Sequence, residues 1–168
     1  TLSECMKIFT KLANDKKNFS YLHEVVKHFD LIANVPVRDN GTLAGNLMIK
    51  NQHHEFPSDI FLIFEAIGAI LTVSASSNWS FSLFGNTTDL SPKNFISTDM
   101  KKKLLIKITL PAYDSKKFIF RSYKVMPRAQ NAHAYVNAAF LLEINDKTVI
   151  SAKICYGGIN PTFIHAEK

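Results

Sequence analysis

The residues best suited to hold a small polar ligand lie between positions 41 and 59. Gly41-Thr42-Leu43-Ala44-Gly45-Asn46 is a segment of small and polar residues, and Asp59 follows it at the head of an apolar helix. Glycines permit positive φ and close approach of the backbone, so successive N–H groups can converge on an anion. The hydroxyl, amide and carboxylate groups of this set add partners for ligand hydroxyls. The segment suits a nucleotide-like cofactor, but its residues taken alone favour an ordinary Asn-Gly loop after a helix, because short glycine motifs are common.

Lys124 is a second candidate, because it closes a predicted strand and precedes the turn-forming segment Met126-Pro127-Arg128. A ligand role and a merely solvated lysine are both consistent with the local sequence. The six histidines show no recognised spacing for zinc or iron, and His53 and His54 are adjacent and would point apart. No Ser or Cys lies in an elbow-type nucleophile motif. We therefore predict no catalytic residue and no metal site.

Composition and charge limit the class of protein. A chain of 168 residues with 46% hydrophobic content can bury a core of about one domain or slightly more. The net charge of +6 raises the alternative of a non-catalytic basic binding module, but Lys101-Lys102-Lys103 is the only tight basic run, so we predict no nucleic-acid partner.

The apolar run from Ile60 to Leu71 contains Glu65 and is shorter than the ~20 residues that span a bilayer, so we predict no membrane segment. The two cysteines form no C-x-x-C pair, which fits a cytoplasmic location.

Periodicity predicts helices in the first third of the chain and strands after position 103. One helix begins near Thr1 or Ser3, a second covers about Ser20 to Ile32 and ends at Asn34-Val35-Pro36, and a third covers Ile60 to about Ile67. The segment from Gly41 to Asn46 is predicted to be a turn. Strands are predicted at Ile70–Ser74, Ser80–Phe84, Leu104–Leu110, Phe118–Lys124, Ala134–Ile144 and Thr148–Tyr156, with a loop at Gly85–Lys93. The last three strands favour an antiparallel meander.

Four segments in a fixed order carry a resemblance to a known family. Residues 37–48 read VRDNGTLAGNLM, residues 55–62 read EFPSDIFL, residues 120–124 read FRSYK and residues 155–162 read CYGGINPT. Together they resemble the flavin-binding domain of the aldehyde oxidase and xanthine dehydrogenase family of molybdenum hydroxylases. The order of the segments makes this resemblance far more specific than any single motif.

The resemblance implies an α+β fold in two parts. Residues 1–115 would be the C-terminal portion of a PCMH-type FAD-binding domain, and residues 118–168 would start a CO-dehydrogenase-flavoprotein-like C-terminal domain with an antiparallel sheet. It also implies FAD in this segment, with molybdopterin and 2Fe-2S clusters on other domains of a longer chain that forms a homodimer. The residues that the resemblance assigns to FAD are Thr42, Leu43, Ala44, Gly45, Asn46, Asp59, Leu105 and Lys124.

Two departures from the family pattern shape what is expected of this chain. The family's Gly-containing segment that holds the FAD pyrophosphate would lie before Thr1, so we expect an isolated chain of this length to bind FAD weakly or not at all. The segment from Arg128 to Ala134 lacks the acidic cluster typical of the dehydrogenases, and His53-His54-Glu55 also fits the oxidase branch. The resemblance therefore favours an aldehyde oxidase that passes electrons to oxygen, with an NAD-dependent xanthine dehydrogenase as the alternative.

Overall fold

Helices occupy the first part of the chain and strands the second. The computed structural model describes residues 1–75, 87–160 and 164–167. Its helices are α1 (Leu2–Asp15), α2 (Leu22–Asp30), α3 (Val35–Asn40), α4 (Leu43–Gln52), α5 (Asp59–Ala66) and α6 (Pro92–Ser97), with a short 3-10 helix at Lys17–Phe19. Its strands are β1 (Ile70–Ala75), β2 (Thr87–Leu90), β3 (Lys103–Thr109), β4 (Phe118–Val125), β5 (Val136–Asn145), β6 (Thr148–Gly157) and β7 (Ile164–Glu167). The predicted α+β class is confirmed.

Polar side chains determine where the early helices begin. Thr1, Asn34, Thr42 and Ser58 precede α1, α3, α4 and α5, and each side-chain oxygen accepts a hydrogen bond from the backbone N–H three residues later. Such caps satisfy N–H groups that have no partner inside the helix, and each contributes about 1 kcal/mol. The predicted first helix with its Thr1 cap is confirmed, as is the helix that follows Pro57.

The predicted turn from Gly41 to Asn46 was wrong, because this segment begins a helix. Thr42 caps α4, and Gly45 and Asn46 lie in its early turns. Gly41 has a φ of −68°, so it does not use the positive φ that a glycine turn would allow. The positive φ angles of the described chain lie at other residues. The predicted second helix is confirmed as α2, which ends at Asp30, before Asn34-Val35-Pro36. That segment then begins the unpredicted helix α3, because Asn34 caps it and proline is tolerated in the first helical turn.

The first sheet has the antiparallel order β2-β1-β3. The loop predicted at Gly85–Lys93 was wrong, because Thr87 and Thr88 pair with β1 and Ser91 caps α6. β-branched residues favour strands, and proline at the first helical position favours α6. The strand predicted at Ser80–Phe84 lies outside the described residues.

The second sheet has the antiparallel order β4-β5-β6-β7. Its first three strands are the predicted meander, which is confirmed. β7 pairs with β6 and was not predicted.

Helix α5 lies at the centre of the molecule, and all eight of its residues are buried. It packs against α2 and α4 and against β5 and β6, so it joins the helical part to the second sheet. Phe29, Phe61, Phe64 and Phe120 are among the fully buried side chains of this core. Because buried charges are costly without partners, Asp59 at the start of α5 must be compensated.

No helix within the described ranges is long and apolar enough to cross a bilayer.

Candidate functional site

The carboxylate of Asp59 is the centre of the site. Asp59 is the first residue of α5, where the positive end of the helix dipole favours a negative charge, and it is only 6% exposed. Lys124 from β4 donates to Oδ2 at 2.8 Å. Asn137 from β5 donates to Oδ1 at 2.7 Å, and Nε2 of His28 from α2 lies 3.2 Å from the same oxygen. Four elements therefore meet at one carboxylate.

These partners keep Asp59 ionised. Burial alone would raise the pKa of the Asp59 carboxyl, because it penalises the charged form. The hydrogen bond and charge of His28, together with the ammonium of Lys124, outweigh burial and hold this pKa below its ordinary value. The pair formed by Asp59 and Lys124 is therefore a buried ion pair at neutral pH.

Among the described residues, the contacts of Asp59 and Lys124 leave one acceptor position and one donor position for a ligand. A carboxylate offers about four lone-pair sites. Two on Oδ1 serve Asn137 and His28 and one on Oδ2 serves Lys124, which leaves one on Oδ2. An ammonium has three protons, and Lys124 uses one for Asp59 and one for the carbonyl of Leu31 at 3.0 Å. The site can thus accept one hydrogen bond and donate another from adjacent atoms.

Asp59 and Lys124 face a cavity of about 600 Å³. This volume lies within the range typical of ligand sites. The apolar part of its wall includes Ile32, Val37, Ile49 and Phe56 from the helical part of the chain. His133 from the segment between β4 and β5 also lines it, and its ring meets that of Phe56 edge-on with centroids 5.8 Å apart. Both parts of the chain therefore contribute to one cavity.

Five of the eight residues predicted to bind a cofactor line this cavity. They are Thr42, Gly45, Asn46, Asp59 and Lys124. The backbone N–H groups of Gly45 and Asn46, which were expected to face a ligand, instead donate to the Thr42 hydroxyl and the Thr42 carbonyl. The amide oxygen of Asn46 accepts a hydrogen bond from Ser58 at 2.5 Å, which ties α4 to the start of α5.

The other three predicted residues lie outside the lining. Leu43 and Ala44 are the first two residues of α4, where backbone N–H groups have no acceptor inside the helix. Leu43 packs its side chain against the core. Leu105 lies in β3 opposite Val73 and also packs against the core. The structure therefore gathers the segment at positions 42–46, Asp59 and Lys124, and it leaves Leu105 apart.

Sequence reasoning missed His28 and Asn137. His28 follows Val25 by three positions and shares the buried face of α2 with it. Asn137 alternates with Ala139 and Leu141, which are the inward-facing apolar residues of β5. A polar residue at an apolar position of a helix or strand was the signal that could have identified both.

No group of three or more His, Cys, Asp or Glu side chains that could hold a metal ion occurs within residues 1–75 and 87–160. Cys5 and Cys155 form no disulfide with each other, and Cys155 is buried.

Two family models match consecutive parts of the chain. The first, described as the FAD binding domain in molybdopterin dehydrogenase, matches residues 1–113. The second, described as the CO dehydrogenase flavoprotein C-terminal domain, matches residues 121–168.

Curated relatives include plant aldehyde oxidases. An indole-3-acetaldehyde oxidase of Arabidopsis thaliana is 28% identical over 186 residues, covering 100% of this chain and 13% of that protein. An abscisic-aldehyde oxidase of the same plant is 29% identical over 136 residues, covering 77% of this chain and 10% of that protein. The chain thus spans only about a tenth to an eighth of the length of these two relatives.

Solved structures show the same fold. Carbon monoxide dehydrogenase from Hydrogenophaga pseudoflava matches with a TM-score of 0.72 and 16% identity, covering 94% of this chain and 52% of that chain. Quinoline 2-oxidoreductase from Pseudomonas putida 86 gives 0.70 and 18%, covering 94% and 51%. The family resemblance is confirmed: the chain belongs to the FAD-binding domains of the aldehyde oxidase and xanthine dehydrogenase family.

Proposed function

We propose that this chain is the FAD-binding, electron-transfer segment of a molybdenum-dependent, aldehyde oxidase-like oxidoreductase. Bound FAD would supply the electron-carrying chemistry between iron–sulfur clusters and oxygen. The observation that carries the proposal is the paired donor and acceptor of Lys124 and Asp59 on the wall of a cavity of about 600 Å³. The chain itself contributes binding, orientation and electrostatics rather than a catalytic residue.

The residues present fit an extended, partly polar ligand such as FAD. The remaining lone pair of Asp59 suits a ligand hydroxyl, and the remaining proton of Lys124 suits a carbonyl oxygen or a developing negative charge. Apolar side chains such as Ile49 and Phe56 suit the faces of an aromatic ring system. The N–H groups of Leu43 and Ala44 at the start of α4 suit an anionic group. Leu105 belongs to the proposal through the family resemblance alone.

The proposal includes the arrangement of the longer protein. We place the FAD-binding portion at residues 1–115 and the start of the C-terminal domain at residues 118–168, on the support of the two matched ranges. Iron–sulfur and molybdenum domains of the same chain are the proposed partners, and the full-length protein is proposed to be a homodimer. We place the protein in a reducing, cytoplasmic location, because its two cysteines form no disulfide with each other.

Oxygen is the proposed electron acceptor, because several of the curated relatives are aldehyde oxidases. NAD, as in a xanthine dehydrogenase, is the alternative. Anaerobic assays of the full-length enzyme with and without NAD decide between them: substrate-dependent NADH formation would contradict the oxidase assignment.

Equilibrium dialysis of the chain against FAD tests the binding site. Ile49 lines the cavity on α4 and is 45% exposed, so Ile49→Trp fills the cavity with little effect on the core. Ile8→Trp is the matched control, because Ile8 is 61% exposed on α1 and does not line the cavity. We expect Ile49→Trp to weaken FAD binding about tenfold or more, a loss of at least about 1.4 kcal/mol, and Ile8→Trp to leave it unchanged.

Two outcomes of this experiment contradict the proposal. One is equal FAD binding by both tryptophan variants, which would place the flavin elsewhere. The other is no FAD binding by the wild-type chain together with salt-sensitive binding of nucleic acid, which would favour the basic binding module.

A further inference from the structure

Two of the three side chains that bind Asp59 lie outside the cavity. His28 is 3% exposed and Asn137 is 2% exposed, and neither is among the residues that line the cavity. Both approach the same oxygen, Oδ1, from α2 and β5. They occupy Oδ1, so Oδ2 is the oxygen that meets Lys124 and keeps a lone pair for a further donor.

A glycine makes room for the amide of Asn137. Gly157 in β6 is the direct cross-strand partner of Asn137. A Cβ atom at position 157 would lie 2.2 Å from Oδ1 of Asn137, which is far inside van der Waals contact. The amide therefore occupies the space that a side chain at position 157 would take, and this placement directs its Nδ2 group towards Asp59.

The contact with Asp59 also determines which ring nitrogen of His28 carries the donated hydrogen. An ionised carboxylate only accepts hydrogen bonds, so the hydrogen that binds Oδ1 must lie on Nε2 of His28. Nδ1 of His28 is buried with no hydrogen-bond partner among the described residues. Nε2 is therefore the nitrogen through which His28 donates to Asp59.

We propose that His28 and Asn137 are positioning residues for the cofactor site. They hold Oδ1 of Asp59 so that Oδ2 and the ammonium of Lys124 face the cavity together, and Gly157 is required for this arrangement. The inference rests on the proposed function, because the positioned pair is the one assigned to FAD.

The first test uses the chain without flavin. The Asp59 carboxyl is titrated by ¹³C NMR in the wild type and in Asn137→Ala, His28→Leu and Gly157→Ala. Each variant removes or displaces a donor to Oδ1, so we expect the Asp59 pKa to rise by about one pH unit. His28→Gln keeps an N–H donor of similar reach and should restore most of the wild-type value. Circular dichroism identifies a variant that fails to fold. If Gly157→Ala fails to fold, Asn137→Ala tests the positioning role instead.

Matched controls change residues that do not touch Asp59. His23→Leu alters an exposed histidine on α2, and Ser151→Ala alters an exposed residue of β6. Both should titrate like the wild type. An unchanged Asp59 pKa in folded Asn137→Ala and His28→Leu would overturn the positioning role.

The second test measures FAD binding and the flavin reduction potential in the same variants. We expect Asn137→Ala and His28→Leu to weaken FAD binding about tenfold and to shift the potential, and His28→Gln to remain near the wild type. If the full-length wild-type protein binds no FAD, the proposed function fails, while the titration without flavin still decides the positioning role. If both folded variants keep the wild-type FAD affinity and flavin reduction potential, the proposal is contradicted even if the pKa of Asp59 shifts.

Discussion

Asp59 and Lys124 form a buried ion pair. Both side chains are nearly excluded from solvent, at 6% and 2% exposure. Removing one member of a buried ion pair leaves the other as an uncompensated charge, and this costs more than the pair itself contributes. The pair thus links β4 to the start of α5 through a buried ion pair, and it is the pair proposed to bind the ligand.

Lys124→Met should destabilise the chain by about 3 kcal/mol, because it leaves the Asp59 carboxylate buried without a counter-charge. The double variant Lys124→Met with Asp59→Asn should recover part of this loss. Urea unfolding measures both values. Lys107→Met, at an exposed position of β3, is the control and should change stability by less than about 0.5 kcal/mol. Equal effects at the two lysines would contradict the buried pair.

The depressed pKa of Asp59 gives stability a defined dependence on pH. The folded state holds this pKa below the ordinary value of 3.8, so the ionised carboxylate favours folding above that value. The contribution falls as the pH decreases through the folded pKa. We expect the stability difference between wild type and Asp59→Asn to be largest near pH 7 and to shrink below pH 3.8 in urea titrations. Asp15→Asn at the exposed end of α1 is the control, and a difference that grew in acid would contradict this assignment.

At the residue scale, the sequence identified Asp59 and Lys124, which line the cavity, but not the two buried side chains that also bind Asp59. Asp59 and Lys124 stand in motifs that the family resemblance recognises. Asn137 lies 78 positions from Asp59 and His28 lies 31 positions away, and neither has a motif. Their contacts depend on how α2 and β5 pack on α5, which local spacing does not encode.

At the scale of the elements, the caps determine the shape of the site. The Thr42 hydroxyl accepts the N–H of Gly45 at 2.9 Å and so determines where α4 begins. Thr42→Ala should therefore destabilise the chain by about 1 kcal/mol, whereas Thr42→Ser should be nearly neutral. Thermal unfolding followed by circular dichroism measures the change. Thr148→Ala, exposed at the start of β6, is the control; a loss as large there would show that the effect is not capping.

Element predictions succeeded where periodicity was strong. They failed where short polar segments were assigned as turns or loops from local turn signals. The Asn40-Gly41 pair suggested a turn, yet capping by Thr42 makes a helix of the next ten residues. Residues Thr87–Leu90 looked like a loop, but they form a strand because β1 offers them a pairing edge. Tertiary pairing and capping both override local turn signals.

At the scale of the whole molecule, the cavity joins the two matched parts of the chain. Thr42 and Asp59 lie in the first part, and Lys124 and His133 lie in the second. A ligand that fills the cavity should stabilise both parts together, since it binds only the folded arrangement.

Hydrogen exchange with and without FAD tests this coupling. We expect slower exchange on addition of FAD at residues 42–46 and also at residues 131–133, with helix α6 as an internal reference that changes little. Protection in only one of the two cavity segments would contradict a site shared between the parts.

The cross-strand contact between Asn137 and Gly157 also predicts a pattern of evolutionary covariation. An amide at position 137 excludes any side chain at position 157, because the two would occupy the same space. Relatives that carry a larger residue at the position of Gly157 should therefore lack asparagine at the position of Asn137 and compensate Asp59 by another route. An alignment of many family members would reveal the two positions changing together.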